Sequence, residues 1–376
     1  MNNLTHKGLI SSKFSKLLLK WHETRNKRQM PWKEEKDPYK IWLSEIILQQ
    51  TRVEQGMEYY NSFIQNFPTI SHLALAEEKK VFKLWEGLGY YSRCRNLIAT
   101  AKYIHQELQG IFPGTYEEIL NLKGIGPYTA SAIASFAFNL PFAVVDGNVF
   151  RILARVFGIT DAIDSTTGRK KFTQLATQLL DKERPGKYNQ AIMDFGATVC
   201  KPAAPLCFDC IFKKYCIAYT ENKIETLPVK EKKIKQRNRF FFFFLVKHQN
   251  KIAIRERTEK DIWRHLHEFP VVELAEITAT EQAISTAKAW GWVAEGAILK
   301  TDDTTYRQKL THQSIHARVV LVYADQKPAA LKTYDWVAVK DLKNYSFPKI
   351  INDFLSGRNY AGHNNADYPD KTGPKH

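Results

Sequence analysis

Four of the five cysteines in this chain fall within seventeen residues, at Cys200, Cys207, Cys210 and Cys216. With Cys94 alone elsewhere in 376 residues, they do not form a disulfide framework. Four soft thiols in one polar loop also make a poor apolar core, so the loop calls for a ligand to sulfur. The spacing Cys-x6-Cys-x2-Cys-x5-Cys contains one Cys-x-x-Cys, where structural zinc sites usually carry paired knuckles. The wide outer gaps suit an iron–sulfur cluster better than zinc, and spacing alone leaves both open, together with unliganded buried cysteines. Lys201, Lys213 and Lys214 could present charge from the same loop to a phosphate backbone.

The length exceeds what one core usually holds, so two domains are expected. Formal charge is +16 with pI near 9.4, which favours a polyanionic partner and nucleic acid first. No window reaches the run of about 18 apolar residues that a membrane helix needs. The N-terminus lacks the apolar centre of a signal peptide. A cytoplasmic location without membrane association is expected.

Residues 1–220 read as mainly helical. Asp37-Pro38 is a helix start, with Asp as N-cap and Pro in the first turn. Trp42, Ile46, Val53, Met57 and Tyr60 follow at helical spacing, as do apolar residues through 73–85. Residues 221–239 hold seven Lys or Arg, three Glu and one Pro and read as a solvated basic linker. From residue 240 strand patterns begin: 240–247 as a buried strand, then 251–257, 317–323 and 334–339, with helical stretches at 279–290 and 348–355. Residues 240–356 therefore form a small α+β domain. Residues 357–376, rich in Gly, Asn, Asp and Pro, are expected to be a disordered tail.

Leu122-Lys123-Gly124-Ile125-Gly126-Pro127-Tyr128 lies between two helical segments. Gly124 and Gly126 permit a tight turn and close approach of another backbone, and Pro127 opens a helix whose free N–H groups make an anion site. An ordinary helical corner is the competing reading of the same residues. Twenty residues beyond Gly126, Asp146-Gly147-Asn148 follows an apolar run and is placed to enter a cleft.

Hairpin, acid and cysteine loop together resemble the helix-hairpin-helix DNA glycosylases of the endonuclease III superfamily. The resemblance extends to Met30-Pro31-Trp32, to Trp42-Leu43-Ser44-Glu45-Ile46-Ile47-Leu48-Gln49-Gln50-Thr51 and to Gly87-Leu88-Gly89-Tyr90-Tyr91-Ser92-Arg93. These segments resemble most the adenine glycosylase (MutY) branch, which removes adenine mispaired with 8-oxoguanine. The C-terminal half is similar to that branch's Nudix-like recognition domain through Trp263, Phe269-Pro270 and Leu310-Thr311-His312.

The resemblance implies a helix-hairpin-helix glycosylase domain (1–220) with an iron–sulfur cluster loop, the basic linker and a Nudix-like α+β domain. It implies a [4Fe-4S] cluster on the four cysteines and, as partner, double-stranded DNA carrying A:8-oxoguanine or A:G mispairs, bound by a monomer. Glu45 would be the general acid and Asp146 the ionised stabiliser of a cationic sugar, held by the hairpin's amides. Tyr128 and Asn148 would support them, and Arg28, Trp32, Leu48 and Gln190 would hold the base. Gln50 and Tyr90 would fill the stack it leaves. Tyr128 stands where strand-cleaving relatives carry a Schiff-base lysine, so little lyase activity is expected. Leu310, Thr311 and His312 would read the opposite base, although the family's Phe-Ser-His has lost its aromatic here. The domain lacks the run of glutamates that binds metal in Nudix hydrolases, which implies recognition without hydrolysis. The competing expectations are a glycosylase for thymine or oxidised pyrimidines, a non-catalytic DNA-binding redox sensor, and a zinc protein.

Overall fold

Asp37 starts the second helix as its sequence predicts. Its carboxylate accepts the Tyr39 N–H at 2.9 Å, and Pro38 takes the first helical position. Such a cap contributes about 1 kcal/mol. The computed structural model describes residues 3–231, 236–294 and 296–357, so the expected tail lies outside the described residues except for its first position. The helices are α1 (Asn3–Thr24), α2 (Pro38–Leu48), α3 (Val53–Asn66), α4 (Ile70–Leu75), α5 (Glu78–Trp85), α6 (Tyr91–Glu107), α7 (Tyr116–Asn121), α8 (Pro127–Phe138), α9 (Gly147–Phe157), α10 (Thr166–Leu179), α11 (Pro185–Thr198) and α12 (Ile217–Thr220). Then come β1 (Arg237–His248), β2 (Lys251–Glu256), β3 (His267–Glu268), β4 (Val271–Leu274), α13 (Thr280–Ala289), β5 (Ile298–Lys309), β6 (Gln313–Tyr323), β7 (Asp335–Ala338) and α14 (Lys349–Leu355). No helix among the described residues is long and apolar enough to cross a membrane.

Two compact units result. One comprises residues 1–76 and 92–233, the other 77–91 and 234–376. The first is helical. Phe14 of α1 stacks on Phe212 of the cysteine loop at 4.5 Å and 6°, and both join a core with Phe157, Phe172 and Phe195. α2 packs on α3 and α8, α7 packs on α8, and α11 lies against α1, α8 and α9. These packings bring α2, the α7–α8 hairpin and the start of α9 around one space.

Three features depart from the periodic reading. The run from Trp42 to Tyr60 is two helices, because the chain breaks at Gln49–Arg52. There Gln50 adopts φ 57° and Arg93 Nη1 donates to the carbonyls of Ile46, Ile47 and Gln49. Residues 73–85 are likewise split, and α5 belongs to the second unit. The first part of the basic linker is packed rather than solvated: Leu227 is buried in the helical core, and its carbonyl accepts from Arg155 Nε at 3.1 Å. Apolar Ile224, Leu227 and Val229 drive this, and the one charge between them, Glu225, is exposed.

The second unit is built on β1, whose residues 241–246 are all buried. A strand covered on both faces reads as a continuous apolar run rather than an alternating one. Phe242, Phe244 and Val246 pack with Ala283 and Ala287 of α13, while Phe241 meets Trp263 at 5.7 Å. Burying each such side chain contributes about 1.5–3 kcal/mol. The sheet order among the described residues is β3-β2-β1-β6-β5, with β4 on β1 and β7 on β2. β1 and β6 are parallel, Phe244 opposite Val320, and β5–β6 is an antiparallel hairpin. The sequence reading missed β5, whose Lys-Thr-Asp-Asp-Thr-Thr run is polar. As the end strand of this order it pairs on one side, and there charge is tolerated.

Candidate active site

Glu45 lies on α2 and is 7% exposed, on a helix whose residues 41–47 are all buried. Facing it is the first turn of α8. Gly124 makes the hairpin turn at φ 81°, where a Cβ would also meet the Asn96 side chain at 2.6 Å. Gly126 caps α8 in ordinary extended geometry with no side chain of its own to bond the helix end, and apart from its chain neighbours no atom of the described residues lies within 4 Å of where its Cβ would be. The α8 N-terminus is therefore open to an anion. Two residues later Tyr128 donates its O–H to the Glu45 carboxylate.

Asp146 is the N-cap of α9. Its Oδ1 accepts the N–H of Asn148 at 2.9 Å and of Val149 at 2.8 Å, and its Oδ2 accepts Asn148 Nδ2 at 2.7 Å. The amides that hold this carboxylate thus come from its own helix and not from the hairpin, because an N-cap side chain reaches the nearest unpaired donors. Burial pushes Asp146 above its ordinary range, while the Val149 and Asn148 donors and the charge of Arg151 pull it down. For Glu45, burial dominates and the Asp146 charge adds to it. Against the single Tyr128 bond, its pKa rises from the ordinary 4.5 to about 7. Tyr128 is itself pushed well above 10, first by burial and then by both carboxylates, so it remains a donor.

These groups line a cleft of about 880 Å³. Arg28, Trp32, Leu48, Gln50 and Gln190 line it too, as do Gly126 and Asn148. Trp32 is wedged edge-on against Tyr60 at 5.2 Å. Tyr90 and the Leu310-Thr311-His312 turn lie in the second unit. There Thr311 and His312 form the β5–β6 turn, Tyr90 has φ 48°, and its hydroxyl bonds to Thr311 Oγ1 at 2.5 Å.

The cysteine loop runs from the end of α11 to the start of α12. Arg155 Nη1 donates to Cys200 Sγ at 3.6 Å, and Cys216 Sγ donates to the Arg155 carbonyl at 3.3 Å. Burial, with a smaller contribution from charge on the other cysteines, pushes the Cys210 thiol up to about 12 and Cys216 to about 11. The four sulfurs thus sense one another, while the amides of Phe212 (to Cys210) and of Tyr219 and Ala218 (to Cys216) point at sulfur. Among the described residues no three His, Cys, Asp or Glu side chains are arranged to hold a single metal ion.

Sequence reasoning missed Arg151, Arg155 and Asp194. Arg151 donates to Asn148 Oδ1 at 2.8 Å and to the carbonyls of Gly196 at 2.7 Å and Cys200 at 2.6 Å, so it ties the Asp146 cap to the cysteine loop. The signal was present: two arginines four residues apart in an apolar helix must find buried partners.

Residues 43–178 match the family model for the HhH-GPD superfamily of base excision DNA repair proteins, and residues 241–357 match that for the NUDIX domain. The solved structure of a thermostable thymine-DNA glycosylase is 27% identical with a TM-score of 0.53, covering 57% of this chain and 99% of that one. Fold and site together define a helix-hairpin-helix DNA glycosylase of base excision repair with a Nudix-type second domain. The adenine DNA glycosylase of Buchnera aphidicola subsp. Acyrthosiphon pisum (strain APS) is 35% identical over 348 residues, covering 91% of this chain and 96% of that relative. The adenine DNA glycosylase of Mus musculus is 45% identical over 215 residues, covering 55% of this chain and 42% of its own length. The chain belongs to the adenine DNA glycosylase family.

Proposed function

We propose that this protein excises adenine mispaired with 8-oxoguanine or guanine from double-stranded DNA, as a monomer, and does not cleave the strand. The observation that carries the reading is the pair of carboxyls in one cleft, with Glu45 at about 7 and Asp146 capped by three donors. A base inside a duplex is out of reach, so the target is flipped into the cleft. Glu45, half protonated at neutral pH, gives its proton to adenine N7, and the N-glycosidic electron pair leaves with the base. The Asp146 carboxylate faces the cationic sugar until a water oxygen bonds C1′ and releases its proton. Asn148 orients Asp146, and Tyr128 orients Glu45. A tyrosine cannot form the Schiff base through which a lysine amine cuts the strand.

The open N-terminus of α8 would take a backbone phosphate. Trp32 and Leu48 would bound the base, and Gln50, in its left-handed turn, would fill the stack together with Tyr90. Thr311 and His312 would read the opposite base from the β5–β6 turn. Cys200, Cys207, Cys210 and Cys216 would hold a [4Fe-4S] cluster, supported by thiols close enough to raise one another's pKa and by amides directed at two of them. Bound, the cluster would order the loop and its lysines for DNA.

The test is release of base from duplexes carrying adenine opposite 8-oxoguanine, adenine opposite guanine, or thymine opposite guanine. Strand scission is read with and without alkali. Adenine release with scission only after alkali is expected. Preferred release of thymine, or scission without alkali, would overturn the substrate or the mechanism respectively.

A further inference from the structure

Asp194 on α11 is fully buried, and a carboxylate survives there only with partners. Asn26 Nδ2 donates to its Oδ2 at 2.7 Å, and Arg28 Nη1 and Gln190 Nε2 both donate to its Oδ1 at 3.0 Å. Lys33 Nζ stands 3.6 Å and His22 Nδ1 4.0 Å from Oδ2. Four of these five partners, His22, Arg28, Lys33 and Gln190, line the cleft, and Asp194 does not. The carboxylate sits behind the wall and holds the groups that form it.

The bond to Gln190 carries direction. A carboxylate paired with cations only accepts, so the amide must turn its NH2 toward Asp194 and its Oε1 away. This is the only side-chain hydrogen bond that Gln190 makes among the described residues, and the side chain lines the cleft. The pocket therefore offers a fixed acceptor at Gln190 and, from the clamped Arg28 guanidinium, a fixed set of donors.

We propose that Asp194 is a positioning residue for base selection. By fixing the Gln190 amide with Oε1 toward the cleft and anchoring Arg28, it admits a base bearing an exocyclic amino group and rejects one bearing a carbonyl there. The proposal rests on the adenine reading above and refines it. Adenine presents an amino donor beside a ring-nitrogen acceptor, which match Gln190 Oε1 and Arg28. A 6-oxopurine sets a carbonyl against Oε1, and both acceptors lose their partners inside a dry pocket. Asp194 touches neither base.

The experiment compares single-turnover release of adenine and of hypoxanthine, each opposite 8-oxoguanine, in the full-length protein and in Asp194→Asn, Gln190→Met and the double variant, with duplex affinity measured in parallel. An asparagine can offer NH2 or C=O, so it frees the Gln190 amide to turn over. The adenine-over-hypoxanthine ratio is expected to fall about 10- to 100-fold in each single variant. It should fall no further in the double variant, and duplex affinity should be unchanged in Asp194→Asn, whose side chain does not line the cleft. Equal losses on both bases in Asp194→Asn would reduce Asp194 to a structural role and overturn the proposal. Retention of the wild-type ratio by Gln190→Met would overturn it even where Asp194→Asn does not fold. A wild-type protein that releases a pyrimidine instead would sink the adenine reading itself, a result distinguishable from either variant outcome.

Discussion

Glu45→Gln should make the protein more stable at alkaline pH while abolishing its activity. Burial lifts the Glu45 pKa from 4.5 to about 7, so the folded state holds a proton that the unfolded chain has already released. The stability this contributes is fully present below pH 4.5, falls as pH rises and is lost above the folded value near 7. The shift of about 2.5 units, at about 1.4 kcal/mol per unit, amounts to about 3 kcal/mol. Glutamine keeps the shape and an acceptor for the Tyr128 hydroxyl without the titration. For a unit of this size about 3 kcal/mol moves Tm by roughly 6–12 °C. Thermal melts of both proteins from pH 4.5 to 8.5 should therefore diverge by that amount, with Glu45→Gln higher at the alkaline end, while adenine release by the variant is undetectable. Melting curves that stay parallel across the range would show that the folded state does not raise the Glu45 pKa, and the acid role would lose its physical basis.

Tyr128→Phe removes the one bond that favours ionised Glu45, so the alkaline limb of the single-turnover pH profile should move up by about one unit; a fixed limb would refute the contact. Gly196→Ala would set a Cβ 2.5 Å from Asn148 Cβ and displace the donor to Asp146 Oδ2. Excision should drop at least about 10-fold, and an unchanged rate would show that Asn148 does not orient the carboxylate. Arg151→Met strands the carbonyls of Gly196 and Cys200, for a loss of about 2–4 kcal/mol that a lowered Tm in urea or heat should report. Purified protein should show the visible absorption of an iron–sulfur chromophore, and Cys210→Ser should lose it; a colourless, zinc-loaded wild type would remove the cluster from the proposal.

What the residues determine unaided is local. Asp37-Pro38 starts a helix because cap and first turn are neighbours in the chain. Residues 241–246 form a buried strand because their apolar run admits little else, and the grouping of four thiols within seventeen positions is visible in the chain itself. Periodicity alone fails where two helices share one apolar phase, as at Gln50, whose left-handed turn is held by Arg93 from a distant helix. Tertiary structure alone decides the chemistry. Glu45 keeps its proton up to about pH 7 because the cleft desolvates it and Asp146, 101 positions away, adds its charge, against the opposing bond from Tyr128, 83 positions away (146 − 45 and 128 − 45). Asp194 anchors Asn26 from 168 positions away, and Arg151 reaches Cys200 across 49. A side chain's identity is written at one position. Its proton affinity and the direction of its hydrogen bonds belong to whatever the fold places around it, and no short stretch of sequence contains those neighbours.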